Sequence, residues 1–191
     1  MKRSGQIEKE AALSAASMMA AAARTAPKTR GIDNIEIFLI DDEPSRMKLI
    51  DKMREISRRD GRPSFERDAA SIGSSNAILV IGAKAAPAGL NCGYCGHPEC
   101  SGLSKANGIC AYNSIDLGIA AGSAVSVAAR LHVDNRLMYS IGKACLELGF
   151  FPQNVKQALG IPLSVTGKSP FSTENNTGYR LKPQRPFYAL F

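Results

Sequence analysis

An α+β fold is predicted, in which long helices pack a sheet and a cysteine-rich loop precedes a buried central helix. Three observations carry that expectation. Apolar runs of strand length stand at 33–40, 77–82 and 161–166, separated by stretches of helical spacing. About five turns of nearly uncharged, small-residue helix follow Cys110. Four of the five cysteines, Cys92, Cys95, Cys100 and Cys110, crowd the stretch just ahead of that helix.

Taken in order, residues 7–24 read as a first helix, built from alanine, glutamate, leucine and methionine. Its stripe Ile7, Ala11, Ser14, Met18 and Ala22 is read as core-facing, with a dimer contact as the alternative. After the break at Thr25–Gly31, the run DNIEIFLI (33–40) is a strand with Ile35, Ile37 and Leu39 on one face. Asp41 and Asp42 cap a second helix to about Arg59, with Pro44 near its start. Leu49, Ile50, Met53 and Ile56 point inward, and Arg46, Lys48, Lys52, Arg54, Arg58 and Arg59 make a solvated outer face. A short helix at 65–71 and a buried strand at 77–82 (AILVIG) follow.

The cysteines then come in the pattern C-x2-C-x4-C-x9-C. Thiolates are soft ligands, suited to tetrahedral zinc or to an iron–sulfur cluster. Zinc is usually held by two separated short turns, whereas a four-iron cluster needs a chain that wraps around it. Three close ligands and one further on fit the wrapped [4Fe-4S] cluster better, with zinc and free thiols or a disulfide as the other readings. Gly93, Gly96 and Gly102 let the backbone pass close, and Pro98 stiffens the x4 span. His97, between ligands, is read as an exposed loop residue that has the chemistry to donate to a sulfur.

The central helix to about Arg130 is apolar nearly all round, Asp116 being its one charge before that arginine, so it is expected to be buried. Gly118 and Gly122 are spaced for the close approach of another helix. Asp134 is read as the cap of a helix to about Leu148, in which Cys145 is a small core residue. Pro152 opens a short helix ending at Gly160, and 161–166 is the last strand. The chain is thus read as one domain over 1–168, with its metal motif at 89–110, followed by an extended tail at 169–191. The tail's apolar end, PFYALF, is expected to pack on a partner subunit or on its own core.

A net charge of +7 favours anionic partners in general, including an acidic redox protein. One aromatic, Phe65, lies among the basic residues of 48–67, so nucleic-acid binding is not expected. No H-E-x-x-H, G-x-S-x-G or G-x-x-x-x-G-K segment supports hydrolysis or a phosphate-cradling loop. The alanine run at 11–23 is too short to span a bilayer and follows Glu8, Lys9 and Glu10, unlike a signal peptide. With clustered cysteines and an isolated fifth, a cytoplasmic location is expected.

The segments AARTAPKTRGIDNIE, GLNCGYCGHPEC, IDLGIAAGSAVSVAARLHVDNRLMYSIGKA and LGIPLSVTGK resemble the uncharacterised ferredoxin-domain-containing proteins of bacteria and archaea, over nearly all of 7–168. The cysteine motif is also similar to the small four-iron domain of several redox complexes, which implies Cys92, Cys95, Cys100 and Cys110 as cluster ligands. A second resemblance is to the flavin-dependent nitroreductases, α+β homodimers with a mixed sheet and FMN at the subunit interface. It rests on the order of helix, A-P segment, strand, long helix and late L-G-I-P strand. It implies Thr25, Lys28, Arg30 and Asn34 near the flavin and Lys168 at its phosphate. The arginine–serine–arginine segment with which that family grips the phosphate has no counterpart in residues 1–24. The readings that follow are an electron-transfer protein with a [4Fe-4S] cluster, an FMN-dependent oxidoreductase, or a non-enzymatic zinc-stapled interaction protein.

Overall fold

In a computed structural model of the chain, residues 1–172 are described. Two apolar layers sandwich one four-stranded sheet of order β1-β2-β4-β3: β1 (Ile35–Ile40), β2 (Ala77–Lys84), β3 (Asp134–Asn135) and β4 (Val155–Ser164). Strand alternation builds both layers, because successive side chains point to opposite faces. On one face Leu79, Ile81, Ile161 and Leu163 meet α1 (Ser4–Thr25) and α5 (Ala111–Arg130). On the other, Ile78, Val80 and Ala158 meet α2 (Glu43–Asp60), α3 (Pro63–Ile72) and α6 (Tyr139–Glu147). β2 is buried along almost its whole length, as its unbroken apolar sequence requires.

The α2 ends are where capping chemistry puts them. Asp42 Oδ1 accepts from the Ser45 N–H at 2.8 Å, and Gly61 closes the helix at φ 62°. Its basic face is largely neutralised in place: Lys52 pairs with Glu55, Arg54 with Glu66, and Arg59 with Asp60 and Glu147. Arg46 turns inward to donate to the Ser75 carbonyl. Cys145 is fully buried between α6 and the sheet, and burial pushes its thiol up to about 12.

Five expectations need correction. The sheet is antiparallel throughout among the described residues, not mixed. The segment expected as a helix from Pro152 to Gly160 belongs mostly to β4, whose residues 155–163 pair with β2; that ladder overrides a weak helical preference. Asp134 opens no helix: Asp134 and Asn135 pair with Ser164 and Leu163, and α6 begins at Tyr139. On α1 the buried residues are Ala12, Ala15, Ala16, Met19 and Ala23, so the stripe through Ile7 and Met18 faces outward, both more than half exposed. The central helix α5 is buried on one side only, since Ile115 and Ile119 are exposed and nothing lies within 4 Å of a side chain built at Gly118 or Gly122. The apolar end of the tail, 186–191, lies outside the described residues.

α6 packs closely on β4 through glycines on both elements. A Cβ added at Gly142 would sit 1.8 Å from the Ala158 carbonyl oxygen, and one at Gly160 would strike Ile141. Gly142→Ala is therefore expected to destabilise the fold by about 2–3 kcal/mol in chemical denaturation, since backbone cannot yield as a flexible side chain can. Glu147 joins α6 to α2. Hydrogen bonds from Arg59, then from Lys143, hold its carboxyl at about 2, below its ordinary 4.5. A depressed folded-state pKa contributes stability that is complete above 4.5 and is lost as pH falls towards 2. Denaturation between those pH values should show that slope in the parent and a shallower one in Glu147→Gln.

Candidate metal centre

The segment from 85 to 110 leaves the end of β2 and returns to the start of α5, so both roots of the cysteine loop are anchored at one end of the sheet. Three contacts fix that end. Asn113, buried on the first turn of α5, donates through Nδ2 to the Lys84 and Ala86 carbonyls, both at 2.7 Å. Asp116, buried one turn on, accepts from the Thr29 N–H at 3.0 and 3.1 Å and from the Thr29 hydroxyl at 2.9 Å. Arg30, held at φ 58°, donates to the Ala88 carbonyl at 3.0 Å and lies over Gly89.

Within the loop the backbone turns back on itself repeatedly. Gly89, Asn91, Gly93 and Gly96 all have positive φ, a conformation that glycine and asparagine adopt at least cost. The Gly96 N–H closes a turn on the Gly93 carbonyl at 2.9 Å. Asn91 is the internal clamp: its Oδ1 accepts from the Cys100 N–H at 2.8 Å, and its own N–H donates to Cys100 Sγ at 3.4 Å. Cys100 starts α4 (Cys100–Lys105), a short helix within the cysteine loop.

The fold brings Cys92, Cys95, Cys100 and Cys110 to the wall of one small pocket, with Ala88 and Leu103 behind them. Cys92 is exposed, Cys95 and Cys100 are half-buried, and Cys110 is buried. Tyr94 and Tyr112 stack with ring centres 5.7 Å apart and planes 11° from parallel. His97 is half-buried in the same pocket, against Gly102, rather than fully exposed. Among the described residues no three cysteine, histidine or carboxylate side chains converge closely enough to hold a single metal ion. Four thiols lining one pocket are a soft donor set suited to a metal centre.

Thr25, Lys28, Arg30 and Asn34 all make hydrogen bonds within the chain. Thr25 donates to the Ala21 carbonyl. Lys28 Nζ donates to the carbonyls of Ala23, Arg24 and Ala26, closing the C-terminus of α1. Asn34 is buried, its carbonyl accepting from the Lys84 N–H. Lys168 follows the far end of β4, about 30 Å along the strand from where Asn34 sits. Within one chain, then, Thr25, Lys28, Arg30 and Asn34 gather at the cysteine end of the sheet and Lys168 at the other. Asp116, Asn113 and Thr29 were not singled out as site residues; the lone charge in a greasy helix was the available signal for Asp116.

A family described as uncharacterized proteins containing a ferredoxin domain matches residues 106–172, a span that holds Cys110 but not the three earlier cysteines. A protein of Archaeoglobus fulgidus is 46% identical over 166 residues, covering 82% of this chain and 88% of the relative. The chain belongs to this ferredoxin-domain family. In fold it is nitroreductase-like. A nitroreductase with bound FMN from Bacteroides fragilis superposes at TM-score 0.55 with 12% identity, over 93% of this chain and 85% of that one. A nitroreductase with bound FMN from Desulfitobacterium hafniense does so at 0.54 and 12%, over 88% and 87%. At such identity the likeness establishes architecture, not activity. Among the described residues no helix is long and apolar enough to cross a membrane.

If Asp116 holds the loop's end of the sheet together, removing it should loosen that end first. Asp116→Ala leaves the Thr29 N–H and hydroxyl unpaired in a buried site, at a cost of about 1–3 kcal/mol. Hydrogen–deuterium exchange should rise most at 28–31 and 85–110, while β2 stays protected.

Proposed function

We propose that the chain is an iron–sulfur redox protein in which Cys92, Cys95, Cys100 and Cys110 hold a [4Fe-4S] cluster for electron transfer. The observation that carries this reading is that four thiols from one short stretch line a single pocket. Membership of a ferredoxin-domain family supports it independently. Such a cluster, when bound, accepts and releases single electrons. The chain's own residues supply the setting. The Asn91 N–H donates to Cys100 Sγ, which stabilises thiolate charge, and Leu103, Ala88 and Tyr112 keep water from the inner side. Cys92, on the open side, is the point of closest approach for a redox partner, and the chain's +7 charge favours an acidic one.

FMN is the second cofactor reading, favoured by the architecture shared with FMN-bound nitroreductases. Because Lys168 and the Thr25–Asn34 group lie at opposite ends of the sheet, a flavin touching both would sit between two copies of the chain. We propose a homodimer formed through the outer faces of α1 and α5. Ile7, Met18, Ile115 and Ile119 are exposed there, beside the bare backbone of Gly122.

Protein purified without oxygen should be brown and contain about four iron and four sulfide per chain. Cys95→Ser and Cys110→Ser should each lose most of both. One zinc per chain without sulfide would overturn the cluster reading in favour of a structural staple. Light scattering should report twice the chain mass, falling to a single chain in Met18→Glu/Ile119→Glu.

A further inference from the structure

We propose that the groove between the first half of α5, α6 and the first half of β4 binds a small organic anion with a flat apolar body. β4 pairs with β2 along one side, but on its other side β3 reaches only Leu163 and Ser164, and Met138 bridges to Gly160. Among the described residues no strand pairs with that side from 155 to 159, and the gap is a groove of about 440 Å³. That lies within the range of about 300–1,000 Å³ typical of small-molecule sites. Leu117, Ala158 and Leu159 give it apolar walls, and Gly118 widens it, with no atom within 4 Å of where a Cβ would stand. Tyr139 offers a half-exposed ring whose position is fixed by an edge-on contact with Phe65. A flat ring system slid between these surfaces would replace water over leucine, glycine and tyrosine.

The polar groups define the sign of the ligand. Lys143 and Lys156 line the groove, and among the described residues no carboxylate does. Glu147, the partner of Lys143, is shared with Arg59, which also pairs with Asp60, so that cluster is neutral overall; the groove's net positive charge comes from Lys156, which has no carboxylate partner among the described residues. Ser114 Oγ donates to Gln157 Oε1 at 2.8 Å, leaving the Gln157 amide nitrogen without a partner among the described residues. Two ammonium groups and a spare amide donor favour a carboxylate or phosphate and disfavour a cation. None of these residues is among Thr25, Lys28, Arg30, Asn34 and Lys168, so the site is separate from that set. Ser114 stands one helical turn, about 6 Å along α5, from Cys110, which puts any occupant beside the cysteine loop. The inference rests on the groove's own residues and holds whichever metal the cysteines take.

The test is calorimetric titration of the full chain, purified anaerobically, with 2-naphthoate and with the uncharged 2-naphthylmethanol. One 2-naphthoate should bind per chain, about tenfold more tightly than the alcohol. Lys156→Glu should weaken 2-naphthoate by about tenfold and leave the alcohol unchanged. Gly118→Leu, whose Cβ meets no atom within 4 Å and whose longer side chain enters the groove, should weaken both by at least about tenfold. Thermal melting of both variants should match or exceed that of the parent. Absence of 2-naphthoate binding, equal affinity for the two probes, or an unchanged 2-naphthoate affinity in either variant overturns the proposal.

Discussion

Asp116 is a buried carboxylate whose hydrogen bonds come from neutral groups, the N–H and hydroxyl of Thr29. A buried polar group in such a place is satisfied only while its donors stay put. That requirement ties the end of α1 to the start of α5. Asn113, one turn earlier, ties α5 to the chain leaving β2. Arg30, next to Thr29, reaches across to Ala88. Two helix ends, a strand end and the root of the cysteine loop are thereby held at one point. The loop itself has few regular hydrogen bonds, so its shape is inherited from this junction.

Most of the architecture was legible because each segment's local chemistry agreed with its place. Asp42, Pro44 and Gly61 bracket α2 as capping rules require, and β2 reads as buried because no polar residue interrupts it. The misreadings have physical causes. VKQALG contains good helix formers behind a proline, and nothing local reveals that β2 needs a partner along that length. α1 offers two plausible faces because alanine covers both; Ala12, Ala15, Ala16 and Met19 were chosen for burial by fit against α5, which spacing does not encode. The same holds for α5, where an apolar surface was read as buried although Ile115 and Ile119 are uncovered in the single chain.

The candidate centre was legible through its cysteines, since four thiols in a short span have few other uses, and the fold does put all four on one pocket. What spacing could not convey was the support around them. Thr29 and Asp116 are 87 residues apart, and neither belongs to any motif. The groove beside α5 was equally invisible: Lys143, Lys156 and Gln157 come from separate elements and meet only because β3 is short.

Cys145 shows how the molecule divides its sulfur. With its thiol near 12 and no exposed surface, it remains protonated and sheltered under conditions where thiolates react. Oxidants arriving from solvent would meet Cys92 first and leave the core sulfur alone. Oxidation would then fall on the loop while the scaffold stayed folded, and reducing a sulfenic acid or disulfide formed there would restore the thiols.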